Sequence, residues 1–337
     1  DSALSLQIHD ALAIIEADLD AVADLLAGLA REYRDAPVAG RSHLQHALPV
    51  TFGYKAAVWL SGIERHRARL AELKPRATLV QFSGAAGTLA SLGEDGLKIQ
   101  DALADELGLG RPEITWHTMR DNVAEIVSWM GLLTATLGKI GTDVLMMMQT
   151  EVGEVFEAFK HGRGASSTMP QKRNPVSCEL MVVAARAMRQ HVAQMLDGML
   201  QDHERASGAW HLEWLTMPQA FITTAGSLSK ARELLDGLEV DTDRMRANLD
   251  ITSGLIVSEA VMMELAPHMG RLVAHDVVYD ACRDAVQQNK SLYEILSKMA
   301  QITDALPDEE IRAMCDPANY TGLAGEMVDR MLDARKR

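Results

Sequence analysis

Residues 123–147 read VAEIVSWMGLLTATLGKIGTDVLMM, and this stretch decides the fold class. Its apolar residues recur at alternating steps of three and four, as the positions of Val123, Ile126, Met130 and Leu133 show. This is the spacing of the seam along which helices pack in a left-handed bundle. At about 1.5 Å per residue, a helix of this length runs roughly 40 Å. The stretch therefore predicts one long helix of a bundle.

Four other stretches have apolar residues at helical spacing. They are residues 4–29, residues 54–73, residues 181–199 and the segment from Pro218 to about Leu238. Aromatic residues make up only 4% of the chain, whereas it contains 19 methionines and is rich in Ala and Leu, a composition that favours helices over strands. The sequence therefore predicts an all-α protein built as a bundle of long helices.

Three segments between the predicted helices are irregular. Residues 40–53 are expected to form a loop rich in His and Gln, because Gly, Pro and polar residues interrupt the helical spacing there. After Pro75, residues 83–93 form a run of small residues in which glycines permit tight turns. A third connection lies at residues 112–118. These irregular segments are the places where we expect the chemistry.

The predicted helices become shorter beyond Asp241, where Pro and Gly interrupt the pattern more often. We therefore predict two domains, a central long-helix bundle over residues 1–268 and a small C-terminal helical domain over residues 269–337. The central domain is expected to carry the functional site.

Composition limits the partners and the location of the protein. The formal net charge of -14 repels phosphate backbones, and no basic stripe offsets it, so nucleic acid is not expected as a partner. No apolar run reaches the roughly 20 residues that cross a bilayer, and no signal peptide opens the chain. Cys178, Cys282 and Cys315 lack the paired spacing of zinc sites and are expected to be reduced thiols. The sequence thus predicts a cytoplasmic protein without membrane contact.

The segment GASSTMPQKRNP at residues 164–175 concentrates reactive side chains. Serine and threonine hydroxyl groups follow its glycine, and an apolar helix is predicted to follow its last residue. Asn174 is then expected at the N-cap position and Pro175 at the first helical position. The partial positive charge of the helix N-terminus and the Lys172 ammonium group together favour an anion.

In a closed site, donors of this kind stabilise a serine alkoxide, so Ser166 and Ser167 are both candidate bases. The loop closely resembles the GSSxMPxKxNP signature of the fumarase/aspartase superfamily, with Ala165 as an additional small residue. The resemblance implies that Ser166 is the catalytic base. It also implies that Lys172 and Asn174 hold a substrate carboxylate and stabilise the carbanion formed beside it. The substrate-binding residues predicted from this loop are Ser167, Thr168, Met169, Lys172 and Asn174.

A second candidate segment, GRSHLQHALP at residues 40–49, contains two histidines in a short connection. Imidazole groups titrate near neutral pH, so either His43 or His46 could transfer a proton. The segment resembles the superfamily's GRTHxQxAxP motif. This resemblance implies that Ser42 contacts the substrate and that His43 acts as an acid or orients the substrate. Gln45 is a predicted substrate-binding residue, and His46 remains an alternative for the role of His43.

Two further segments, WHTMRD at residues 116–121 and HERAS at residues 203–207, also resemble superfamily regions. His117 and Arg120 either approach the substrate or cap the following helix, and the sequence leaves both possibilities open. Arg205 is implied as an additional anion-binding residue. The His and Glu residues near the second segment suggest a metal. However, ligand pairs at i and i+4 facing one cavity would then be expected, so we predict neither a metal nor a cofactor.

Segments around the loop narrow the resemblance to one branch of the superfamily. Residues 40–59, residues 79–93 (LVQFSGAAGTLASLG) and residues 150–157 (TEVGEVFE) resemble the 3-carboxy-cis,cis-muconate cycloisomerase family. This resemblance implies an intramolecular lyase that acts on a small polycarboxylate in aromatic catabolism. Adenylosuccinate lyase, or another β-elimination lyase of the superfamily, is the main alternative. A non-catalytic helical scaffold is the alternative of another class.

The superfamily resemblance also implies an assembly. Members are homotetramers in which each active site takes residues from three subunits, so we expect His43 and Ser166 of one site to come from different chains. Members also carry an N-terminal domain, and this chain is expected to begin just after it. A scaffold role would follow if the site were incomplete for that reason.

Overall fold

The computed structural model describes residues 1–158, 164, 168–205 and 207–336. The chain divides into two compact units, each assembled from three separate stretches. What we call the helical unit contains residues 1–26, 59–148 and 156–239, and what we call the hairpin unit contains residues 27–58, 149–155 and 240–337. The predicted domains are contiguous in sequence, and their boundary at residue 268 remains a proposal.

Long helices build the helical unit. They are α1 (Ser2–Glu32) as far as Leu26, α2 (Phe52–Ala77) from Trp59 onward, α3 (Gly96–Leu107), α4 (Asp121–Met147), α5 (Val176–Gly198) and α6 (His211–Asp236). Every apolar seam residue of α4 from Val123 to Met147 is buried. Helix α5 packs against both α4 and α6. The predicted all-α fold of long helices is thereby confirmed.

Helix α4 is long and apolar enough to cross a membrane, judged by length and composition alone. Most of its apolar stretch is buried, however, and Met130, Leu133 and Leu137 have no exposed surface. The neighbouring helices of the unit cover these side chains. Burial of this kind is what a core helix of a folded protein shows.

The connection predicted as a loop over residues 40–53 is a β-hairpin. Strands β1 (Pro37–Ser42) and β2 (Gln45–Thr51) pair in antiparallel orientation. A Cβ atom at Gly40 would lie 2.6 Å from the Leu48 carbonyl oxygen, so the close approach of the strands requires glycine there. The loop prediction was wrong because strand pairing is a non-local contact, and because Pro37 and Gly40 in β1 and Pro49 in β2 hide the usual alternation of a hairpin.

The hairpin unit also contains the C-terminal helices, which have 4 to 18 residues and are shorter, as predicted, than the 23 to 31 residues of α1, α2, α4, α5 and α6. They are α7 (Thr242–Leu249), α8 (Ser258–Met269), α9 (Arg271–Gln288), α10 (Leu292–Leu296), α11 (Ala300–Thr303), α12 (Asp308–Met314) and α13 (Ala324–Ala334). Buried residues between Val261 and Ile311 form one apolar core in this region. The two-residue strands β3 (Val155–Phe156) and β4 (Glu239–Val240) lie where the chain passes from one unit to the other.

Three prolines that interrupt the pattern in the sequence lie inside helices: Pro75 in α2, Pro218 in α6 and Pro267 in α8. The predicted start of a helix after Pro218 was therefore wrong, since α6 begins at His211. Proline removes an amide donor and is costly in a helix interior. The adjacent buried side chain of Met217 contributes packing that offsets this cost.

Candidate active site

The two ends of the loop at residues 164–175, here called the signature loop, are joined by a hydrogen bond. Its serines Ser166 and Ser167 lie outside the described residues, so the structure describes the loop at Gly164 and from Thr168 onward. The Asn174 amide donates a hydrogen bond of 2.9 Å to the Gly164 carbonyl oxygen. Gly164 has a φ of 64°, and a Cβ atom there would lie 2.7 Å from the Asn174 carbonyl oxygen. Glycine is therefore required where the loop closes on itself.

Glu157 caps the helix that follows the loop. Helix α5 begins one residue later than predicted, with Pro175 at the N-cap position and no side-chain cap from that position. The buried Glu157 carboxylate instead accepts hydrogen bonds from the amides of Ser177 at 3.2 Å and Cys178 at 2.9 Å. The predicted cap by Asn174 was wrong because a buried carboxylate, which the helix dipole also favours, already occupies these amides.

Because Glu157 occupies the helix N-terminus, the predicted anion site has fewer donors than expected. Two of its amide donors bind Glu157 and are not available to a substrate anion. The exposed Lys172 ammonium group makes no hydrogen bond or ion pair with any residue that the structure describes, and the same holds for the Asn174 side-chain amide. Together with the exposed Gln171 side-chain amide, which likewise has no described partner, these two side chains are donors that a substrate carboxylate can use.

Arg173, which the signature leaves unspecified, holds the end of the loop. Its guanidinium group pairs with the Glu239 carboxylate at 2.8 Å and donates to the Glu157 carbonyl oxygen. It also lies 4.8 Å from the centre of the Phe156 ring. These contacts use the charge of Arg173 and orient the backbone beside Lys172. Arg173 is thus a positioning residue that the sequence did not reveal.

The hairpin brings the candidates of residues 40–49 together at its tip. Ser42 and Gln45 lie opposite each other in the last pair of the ladder. The exposed residues His43 and Leu44 form the turn, with φ values of 50° and 64°. Left-handed backbone at both central positions is typical of a type I′ turn, which favours Asn and Gly. Backbone strain at such positions costs of order 1–3 kcal/mol each and often marks a functional site.

His46 lies just beyond the tip, opposite Arg41. Its Nδ1 atom is buried and has no hydrogen-bond partner within the described part of the chain. Burial lowers the pKa of His46, and Arg41 lowers it further, against an opposing effect of Glu154. The imidazole is therefore neutral at neutral pH and able to accept a proton. The choice between His43 and His46 as the acting histidine stays a proposal.

His117 is buried in a polar cluster of the helical unit. Its Nε2 atom contacts the Glu204 carbonyl oxygen, which can only accept, so Nε2 carries a proton. In the neutral ring Nδ1 is then an acceptor, 2.8 Å from the Thr115 hydroxyl group and 3.2 Å from the Gln81 side-chain amide. Both ring nitrogens thus have protein partners, which favours a positioning role for His117 over direct contact with substrate.

Arg205 belongs to the same region. Its guanidinium group donates to the Ala85 carbonyl oxygen at 3.0 Å and to the Gly84 carbonyl oxygen at 3.1 Å. The small-residue run 83–93, which the sequence predicted as an irregular segment, is therefore attached to the HERAS segment. Arg205 is exposed, so it retains a solvent-facing side while it holds this backbone.

Arg120 is buried and paired within the helical unit. Its guanidinium group donates to both Glu213 carboxylate oxygens, at 2.7 Å and 2.5 Å, and to the Asp1 carboxylate at 3.2 Å. It also lies 5.1 Å from the centre of the Trp116 ring. The residue stands at the N-cap position of α4 without a side-chain cap. Of the two alternatives for Arg120, this geometry favours the structural one.

Comparison with known proteins identifies the family. Residues 1–189 match the family model described as Lyase, and residues 254–331 match the model described as Adenylosuccinate lyase C-terminus. The chain belongs to the fumarase/aspartase superfamily. The resemblance drawn from residues 164–175 is thereby confirmed.

The similarity of this superfamily member to individual relatives covers nearly all of the chain. It is 49% identical to the 3-carboxy-cis,cis-muconate cycloisomerase of Pseudomonas aeruginosa, over 98% of this chain and 72% of the relative. It is 46% identical to trans-aconitate decarboxylase 1 of Mycosarcoma maydis, over 98% of this chain and 67% of the relative. The crystal structure of the 3-carboxy-cis,cis-muconate lactonizing enzyme from Pseudomonas putida matches with a TM-score of 0.94 at 43% identity, covering 99% of this chain and 74% of that one.

Proposed function

We propose that this chain is a 3-carboxy-cis,cis-muconate cycloisomerase, an intramolecular lyase of aromatic catabolism in the β-ketoadipate route. The observation that carries the proposal is its 49% identity to the Pseudomonas aeruginosa enzyme over 98% of this chain. The product would be 4-carboxymuconolactone, and the reaction would need no cofactor. The protein is accordingly proposed to be cytoplasmic and to bind a small polycarboxylate.

The proposed reaction moves one proton and makes one carbon–oxygen bond. One substrate carboxylate adds to the conjugated double bond and closes the lactone, and a proton is delivered to the carbon next to a second carboxylate. The reverse reaction removes that proton and breaks the same carbon–oxygen bond. In both directions negative charge collects on the second carboxylate as its aci form. The site must therefore supply a proton-transfer group and a cation aimed at that carboxylate.

Residues of the two candidate segments fit these requirements. Ser166 is assigned to proton transfer, and Lys172 is assigned to the developing charge. The assignment of Lys172 is supported by its lack of a described partner, whereas the neighbouring Arg173 is already paired with a carboxylate. His43 on the strained turn is assigned as the acid or orienting group, with His46 as its alternative. The remaining proposed substrate contacts are Ser42, Gln45, Ser167, Thr168, Met169, Asn174 and Arg205, whereas His117 is proposed to position its neighbours.

A homotetramer with shared active sites is proposed for the assembly. Helices α5 and α6 expose large apolar side chains, which costs free energy in water and is relieved when a second copy covers them. Those more than half exposed include Val183 59%, Leu196 52%, Leu215 72% and Ile222 65%. These side chains support burial against other copies of the chain.

Mixed tetramers test the sharing of sites between chains. We expect Ser166→Ala and His43→Ala proteins, each nearly inactive, to recover activity when their subunits are exchanged. If the two residues of one site come from different chains, about a quarter of the sites in an equal mixture regain both. Activity is measured after subunit exchange, with each variant exchanged against itself as the control. No recovery in the mixture would contradict the shared site.

A substrate panel tests the proposed function. Purified protein is incubated separately with 3-carboxy-cis,cis-muconate and adenylosuccinate, and loss of the diene or purine absorbance is followed. Trans-aconitate is a third arm, monitored by CO₂ release, because the 46% identity to the Mycosarcoma maydis enzyme favours decarboxylation as a second candidate function. The proposal predicts turnover of the muconate. Turnover of only another substrate would overturn it.

A further inference from the structure

A buried carboxylate binds the hairpin that carries Ser42 and His43, one residue pair away from the end of the ladder at the tip. The Glu154 side chain has no exposed surface and accepts hydrogen bonds from both terminal nitrogens of Arg41, at 2.7 Å and 2.9 Å. Arg41 belongs to β1 and stands two residues before the tip residue His43. The paired oxygens and the planar guanidinium group fix the direction of Arg41 as well as its position.

The other partners of Glu154 come from the C-terminal part of the same unit. The buried Asn248 on α7 donates to a Glu154 carboxylate oxygen at 2.8 Å and to the Val152 carbonyl oxygen at 2.8 Å. The Asp241 amide donates to the Glu154 carbonyl oxygen at 3.0 Å. Glu154 is therefore held by backbone and side chain, so it provides a fixed point for Arg41.

The tip of the hairpin needs such a fixed point. Both turn residues have left-handed backbone, and the pairing of the strands shifts at a bulge between Ala39 and Arg41. A bulge re-aims the side chains that follow it. Arg41 follows directly and bonds the Ala39 carbonyl oxygen across the bulge at 3.2 Å. The ion pair therefore acts at the point where the direction of the tip is set.

We propose that Glu154 is a positioning residue, which acts through Arg41 to aim Ser42 and His43 at the substrate. The inference rests on the proposed function, since it assigns the hairpin tip to the active site. It differs from a purely stabilising role in one respect. A positioning residue loses its effect on catalysis when the residue that it positions has been removed, whereas a stabilising residue affects both backgrounds equally.

The test combines a matched pair of variants with a double-mutant cycle. Glu154→Gln removes the charge at nearly constant shape. Asp329→Asn is the matched control, because Asp329 also forms a two-pronged pair with an arginine of the hairpin unit, Arg34, at 3.0 Å and 2.7 Å. Each change is made in the wild-type, His43→Ala and His46→Ala backgrounds. Steady-state kcat and KM are measured on 3-carboxy-cis,cis-muconate, and hydrogen exchange of residues 37–51 is followed by mass spectrometry.

We expect Glu154→Gln to lower kcat about 10²-fold, the effect of a misplacement of about 1 Å, and to change KM much less. In the His43→Ala background, which lacks the positioned histidine, the same change should lower kcat by no more than about two-fold. Hydrogen exchange should increase in residues 37–51 and not across the chain. Asp329→Asn should leave kcat and this exchange unchanged. If Glu154→Gln protein does not fold, Arg41→Lys, which keeps the charge but lacks the planar fork, replaces it in the cycle.

Two results would overturn the proposal. One is equal loss of kcat in all three backgrounds, and the other is unchanged hydrogen exchange in residues 37–51. A wild-type protein that turns over no muconate means that the proposed function has failed, and the exchange measurement then decides by itself whether Glu154 holds the hairpin. The two failures are thus distinguishable.

Discussion

Replacing Ser166 with alanine is expected to lower kcat about 10³-fold on 3-carboxy-cis,cis-muconate, because proton-transfer groups contribute typically 10²–10⁴-fold. The change removes one hydroxyl group and leaves the charge of the loop intact. Substrate carboxylates can still bind to Lys172, so KM should change much less than kcat. Steady-state kinetics gives both constants, and thermal unfolding of the variant checks that its fold is retained.

Ser167→Ala is the matched control for this prediction. It removes the same group at the neighbouring position, where the family resemblance implies binding and not proton transfer. We expect a loss of kcat/KM of no more than about ten-fold, which corresponds to one neutral hydrogen bond. Near wild-type kcat in Ser166→Ala, or a larger loss in Ser167→Ala, would assign the base elsewhere.

Replacing Glu213 with alanine is expected to destabilise the protein by about 3–5 kcal/mol, because it leaves a buried cation without its partner. The Arg120 side chain is 1% exposed and that of Glu213 is 2% exposed, so solvent screens the pair little and the lost carboxylate leaves a buried cation. The remaining partner, the Asp1 carboxylate, lies at 3.2 Å. Urea unfolding at one fixed protein concentration measures the loss, since subunit association also contributes to stability.

Glu125→Ala is the control for this second prediction. Arg76 and Glu125 form an arginine–glutamate pair with two hydrogen bonds, at 3.0 Å and 2.6 Å, in the same helical unit. Their side chains are 55% and 40% exposed, so solvent screens the pair. Exposed pairs of this kind contribute little to stability, so Glu125→Ala should leave the free energy of unfolding almost unchanged. Equal destabilisation by the two changes would show that burial does not determine how much the Arg120–Glu213 pair contributes to the free energy of unfolding.

Helices of this fold were predictable because their determinants are local. The seam from Val123 to Met147 and the spacing of α1 report burial on one face, which depends only on residues a few positions apart. The prolines show the limit of this approach. Pro218 is a helix breaker locally, yet α6 continues through it because tertiary packing overrides the local preference.

Contacts between distant segments were not predictable. The hairpin joins strands whose turn residues, His43 and Leu44, are not the Asn-Gly pair that signals a type I′ turn. The cap of α5 comes from Glu157, twenty or more positions before the amides that it binds. A single sequence contains no signal for such a pairing. Glu154 and Glu157 both lie in residues 150–157, whose sequence resembles the family, but the resemblance gave neither residue a role.

Two kinds of sequence information indicate the candidate site. Local chemistry indicated that a serine-rich loop with Lys172 meets a helix N-terminus, but it could not show that Glu157 already occupies that terminus. The family resemblance assigned roles to Ser166 and Ser167, which lie outside the described residues, so their placement remains a prediction. The sequence alone cannot show which arginines are free to bind a substrate anion. The structure shows that Arg120 and Arg173 are already paired with carboxylates.

The most direct test of the central claim is the reaction in D₂O, with the product identified by NMR. If the chain closes the lactone by adding a carboxylate and delivering one proton beside a second carboxylate, 3-carboxy-cis,cis-muconate should yield 4-carboxymuconolactone with one deuterium at that carbon. Ser166→Ala protein should form this product at least about 10²-fold more slowly. Unchanged muconate after prolonged incubation, or a product without deuterium at that carbon, would contradict the claim.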